Sequence, residues 1–153
     1  MIRKAAIYTF IVGAWAAPIV AQTVVNSAPQ ASKVYNPAAE VTLSGTIRHV
    51  VGVAGADGTV GVHLDIITPT GLQHVHLGPA MFIGMNNMSF LVDEEVEIVG
   101  SKVLHDGEAA LWARTIRKGS ATLVLRNEDG SPRWPNATAD DPDGCGIAHA
   151  PVR

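Results

Sequence analysis

Two β-rich runs, Val62-His63-Leu64-Asp65-Ile66-Ile67 and Leu72-Gln73-His74-Val75-His76-Leu77, flank the connection Thr68-Pro69-Thr70-Gly71. A four-residue link carrying Pro and Gly leaves the chain little choice but to reverse, so the two runs form a β-hairpin. With Ile67 facing Leu72, antiparallel pairing sets Asp65 opposite His74, His63 opposite His76, Leu64 opposite Val75 and Val62 opposite Leu77. One face is then apolar, and the other gathers three imidazoles and a carboxylate. Opposed Cβ atoms lie ~4.5 to 5.5 Å apart, close enough for the four groups to meet on one small ligand.

The rest of the chain has the same short period. Val41 to Val51 alternates apolar and polar residues around Gly45, as a bent barrel strand does. A glycine-rich loop from Gly52 to Gly58 leads into the hairpin. The period then changes at Pro79-Ala80-Met81-Phe82-Ile83-Gly84-Met85-Asn86-Asn87-Met88, where Met81, Met85 and Met88 recur at helical spacing and predict a short helix. Glu94 to Val103 returns to alternation, with Val96, Ile98 and Gly100 on one side and Glu95, Glu97 and Val99 on the other. After Asp106-Gly107 come Ala109 to Ile116 and a sixth strand, Ala121 to Leu125.

The N-terminus bounds the compartment. Met1-Ile2-Arg3-Lys4 followed by an apolar run from Ala5 to Ala17, then Pro18 to Ala21, has the three parts of a secretory signal. The apolar run is too short for an ordinary span and nothing after it is longer, so the mature chain is expected to lack a transmembrane segment and to be exported, periplasmic or extracellular. The resulting division is a signal peptide over 1–21, a flexible leader over 22–38, a barrel over 39–134 and a disordered tail over 135–153. The full chain has 11 Lys and Arg against 14 Asp and Glu; loss of Arg3 and Lys4 leaves 9 against 14, a net charge near −5. General attraction to phosphate backbones is therefore absent. The one cysteine, Cys145, excludes an internal disulfide framework.

Three strands, a short helix and two or three further strands give an all-β, OB-fold-like Greek-key barrel of five to six strands, with the helix between strands three and four. With Gly45-Thr46-Ile47, His76-Leu77-Gly78-Pro79 before the helix and Val99-Gly100-Ser101 in strand four, the stretch from Tyr35 to Trp134 resembles small exported bacterial OB-fold proteins. Those shared phrases are turn glycines and strand apolar residues, which specify architecture rather than an activity.

Chemistry points first to the hairpin. Neutral imidazole binds Zn and Cu, so His63, His74 and His76 with Asp65 make a candidate transition-metal shell, against a plain solvated face with an Asp65–His74 pair. The three methionines are soft thioether candidates for Cu(I), set against the commoner role of filling core gaps. Arg114, Arg117 and Lys118, with Trp112 and Trp134, make an alternative patch for single-stranded nucleic acid or an oligosaccharide, against a strand end balanced by Glu108, Glu128 and Asp129. His49 and His105 look like strand-end and turn residues. No nucleophile elbow or acid/base pair is visible, and Cys145 and His149 lie in a Gly- and Asp-rich segment. The sequence thus reads as an exported, non-enzymatic binding module for a transition metal, or an adaptor for a protein partner or oligomer without metal.

Overall fold

The structure, a computed structural model, describes Ser32 and residues 34–55, 58–105 and 107–137. The segment read as a signal peptide, residues 22–31 and 33 of the expected leader, and residues 138–153 of the expected tail, with Cys145 and His149, lie outside the described residues. After a single 3-10 turn at Pro37–Ala39, the elements run β1 (Glu40–Ala54), β2 (Val60–Thr68), β3 (Gly71–Pro79), α1 (Ala80–Met85), β4 (Glu95–His105), β5 (Glu108–Lys118) and β6 (Ala121–Val124). Their order in the sheet is β3-β2-β1-β4-β5-β6, antiparallel throughout except where β3 meets β5 in parallel at Val75↔Leu111 and His76↔Trp112. That last pairing bends the sheet into a barrel-like ring. The all-β order expected from the sequence, three strands, a short helix and three further strands, is the order observed. No helix among the described residues is long and apolar enough to cross a membrane.

Alternation builds the interior. Ile47, Leu64, Ile66, Val75, Leu77, Ile98 and Ile116 are fully enclosed, one apolar residue after another from the inward side of each strand. Strand β1 is longer than its composition suggests. Gly52 and Val53, expected in a loop, pair with Val62 and Gly61, so the connection to β2 is shorter.

The helix closes the ring with Ile83, and Met88 and Phe90 follow it into the core. It stops after Met85 because Gly84 and the Asn86-Asn87 pair favour termination; Asn87 takes a φ of 54°. The stop separates the three methionines. Met88 fills the core, whereas Met81 and Met85 are each 77% exposed, which corrects the expectation that all three pack inward.

Both flanks of the ring are docked. Ahead of residue 39, Ser32 bridges Val103, the Asn36 amide donates to Ser101 Oγ at 3.1 Å, and Tyr35 packs on Val103, Ala110 and Trp112. Beyond β6 the chain doubles back, with the Arg133 amide donating to the Leu125 carbonyl at 3.0 Å. Trp134 then settles on Gly78, where a Cβ would come within 2.7 Å of the indole; only glycine leaves that room. Ala137 packs against the same core.

Candidate functional site

The hairpin register is the expected one at its chemical positions. Asp65 faces His74, His63 faces His76, Leu64 faces Val75 and Ile67 faces Leu72. It differs at the far end, where an irregularity between Val62 and His63 pairs Val62 with Gly78 instead of Leu77. On the other side of β2, a bulge between Ile47 and His49 brings His49 opposite Asp65 and Val51 opposite His63. The outer face of β1, β2 and β3 therefore carries two rows, His49–Asp65–His74 and Val51–His63–His76.

In the first row Asp65 joins two rings. Its Oδ2 lies 3.1 Å from His49 Nδ1 and its Oδ1 lies 2.5 Å from His74 Nδ1. Both rings stay more than half exposed, while the carboxylate between them is about one-fifth exposed. An Nδ1 engaged by a carboxylate acts as the donor, which leaves Nε2 as the basic nitrogen of each imidazole. This makes His49 a site residue, although its sequence position suggests only a strand end.

The second row behaves differently. His63 and His76 stack at 3.9 Å between ring centroids, 22° from parallel, and His76 is buried opposite Trp112 of β5. The four candidate ligands thus separate into a bonded pair, Asp65 with His74, and a stacked pair, His63 with His76. Among the described residues no three His, Cys, Asp or Glu side chains are placed to hold one metal ion.

The basic patch does not form as a patch. Arg114 donates Nε and Nη2 to the two carboxylate oxygens of Glu40 at 2.7 and 2.9 Å, and the Tyr35 hydroxyl donates to the same carboxylate at 2.6 Å. Arg117 pairs with Glu97 at 3.0 Å; Lys118 reaches Glu94 at 3.0 Å and the Ser89 carbonyl at 2.6 Å. Glu40, Glu97 and Glu94, not the expected Glu108, Glu128 and Asp129, balance these cations. Trp112 and Trp134 are 3% and 5% exposed, so neither offers a face on which a base can stack.

The Asp65 and Glu40 carboxyls in these networks sit below their ordinary values. At Asp65 partial burial pushes upward, and the hydrogen bonds from His49 and His74, with the charge of those rings, more than offset it. At Glu40 the Arg114 hydrogen bond leads, against partial burial, with the Tyr35 hydroxyl and the Arg114 charge adding to it. A carboxyl depressed on folding contributes stability that is fully present above its unfolded pKa and is lost as pH falls through the folded value. Thermal stability is therefore expected to drop as pH falls below about 4, the ordinary carboxyl range. The Asp65→Asn and Glu40→Gln proteins should show a shallower drop than wild type. Equal pH slopes in melting curves of all three proteins would contradict this assignment.

The profile of the MamS/MamX magnetosome protein family matches residues 39–123, a span that takes in β1 to β5, most of β6 and the whole His49–Asp65–His74 row. A search of curated proteins finds no match.

Proposed function

The chain belongs to the MamS/MamX magnetosome protein family, and from that premise we propose that it is an exported, non-enzymatic module that binds a transition metal, Zn or Cu, on the outer face of β1, β2 and β3. One observation carries the reading: the Asp65 carboxylate engages Nδ1 of His49 and of His74. A carboxylate on the far nitrogen is the usual second partner of a metal-bound imidazole, since it fixes the tautomer and raises the basicity of Nε2. In this reading His49 and His74 each offer Nε2 as a ligand position and Asp65 orients both rings. Water or groups from a second molecule complete the coordination. His63 and His76, engaged with one another, stand outside the ligand set.

The test is calorimetric titration of the tag-free protein with Zn²⁺ and with Cu²⁺. His49→Ala and His74→Ala are each expected to weaken binding at least ~10-fold, and Asp65→Asn by ~10- to 100-fold, as for other groups that orient a ligand. His63→Ala should bind as wild type does. Acidification should release the ion as imidazole takes up protons. Unchanged binding in the three weakening variants would place the ion elsewhere.

A second reading, an adaptor that docks a protein partner without metal, is favoured by Ile67 and Leu72. These cross-strand neighbours lie beside the imidazole row and are each about half exposed. The same titration separates the readings, because no heat of metal binding in the wild-type protein leaves only the adaptor.

A further inference from the structure

A cleft of about 750 Å³ opens between the start of β2, α1 and the turn after Trp134. Val60, Met81, Phe82, Met85, Trp134 and Pro135 form its walls, and no Asp, Glu, Lys or Arg stands among its described lining residues. The volume falls within the ~300 to 1,000 Å³ of small-molecule sites, and so does the makeup of apolar walls with few polar groups.

Two features point to an occupant. Met81 and Met85 stand four residues apart on α1, each 77% exposed, the largest exposure among the large apolar side chains of the described residues. Unbranched thioethers left open to water suit an adaptable wall that closes on apolar shapes. Phe82 meets Trp134 edge-on at 5.9 Å between centroids, so the aromatic part of the wall is braced before anything binds. Asn86, also on the lining, spends its Nδ2 on the Phe82 carbonyl at 2.8 Å.

We propose that this cleft binds an uncharged, largely apolar small molecule. A charged ligand meets no counter-ion among the described lining residues and loses hydration without return. The site shares no residue with the imidazole row, so it stands or falls independently of the metal reading.

The test uses the full chain with N-phenyl-1-naphthylamine, an uncharged fluorescent probe, and 1-anilinonaphthalene-8-sulfonate, its charged counterpart. The uncharged probe should bind saturably at one site with a Kd on the order of 100 μM or tighter, and a long-chain alcohol should displace it. The sulfonate should bind at least ~10-fold more weakly, for want of a cation. A double variant, Met81→Glu with Met85→Glu, should weaken the uncharged probe at least ~10-fold by placing charge on the wall. Its melting temperature should stay at the wild-type value because both side chains are exposed. Probe binding that is unsaturable, or equal in the double variant, overturns the proposal. So does sedimentation showing a wild-type dimer that the double variant makes monomeric, because the cleft is then an interface between copies.

Discussion

Replacing Arg126 with alanine is expected to cost about 3 kcal/mol of stability, combining lost cation–π contacts with an unfilled cavity. In a domain near 100 residues that is a melting temperature lower by roughly 10 to 20 °C. Arg126 is 2% exposed, and its guanidinium carbon lies 4.9 Å from the Trp134 ring centroid, 5.6 Å from Trp112 and 5.7 Å from Tyr35. Those aromatics come from three separate places: the segment before β1, the strand that closes the ring, and the chain that doubles back after β6. The planar, weakly hydrated guanidinium can face several rings at once, which an ammonium on a flexible stem does not reproduce. Arg126→Lys should therefore recover less than half of the loss, while Arg126→Met recovers the part due to packing of the stem. Tryptophan emission should shift to the red in the alanine variant as Trp112 and Trp134 meet water. A melting temperature within about 2 °C of wild type would show that the cluster does not hold those segments together.

What the sequence discloses follows from the range of the interactions involved. The Thr68-Pro69-Thr70-Gly71 reversal and the period-two runs beside it are local, so the Asp65–His74 and His63–His76 pairs are legible from the order of residues alone. Gly45 is legible as a bend for the same reason, and a Cβ there would lie 2.3 Å from the Ile67 carbonyl oxygen. His49 is not legible, because its place beside Asp65 depends on a bulge that puts Arg48 out of register, and nothing in Thr46-Ile47-Arg48-His49 marks it. His76 passes for an available ligand because a hairpin alone cannot show that β5 covers its neighbourhood through the parallel pairing with Trp112. The neutralisation of Arg114 joins residues 74 apart, beyond any local pattern. The methionine spacing suits one helical face, yet the helix ends at Met85 and the turn through Asn87 sends Met88 inward.

Gly100→Ala tests the closure of the ring itself. The Cβ of an alanine at this position would lie 2.2 Å from the Trp112 carbonyl oxygen and 2.9 Å from its carbon, with the Ala113 Cα at 3.0 Å. These are backbone atoms, which cannot swing aside as the end of a long side chain can. Gly100 follows the bulge where β4 slips against β5 after Val99↔Thr115, so the two backbones approach closely where the strand bends. Relief requires β5 to move at Trp112, the residue whose pairing with His76 joins β3 to β5. Overpacking of this kind costs about 3 kcal/mol, at the upper end of its usual range, because the obstacle is main chain. Gly84→Ala makes the same chemical change in α1, where a Cβ meets nothing within 4 Å, and should leave stability unchanged or raise it by up to ~1 kcal/mol through helix propensity. Denaturant titration of the pair should thus give shifts of opposite sign, or a loss against no change. Equal midpoints would mean that β4 and β5 are not pressed together at Gly100, and that the ring closes less tightly than its register implies.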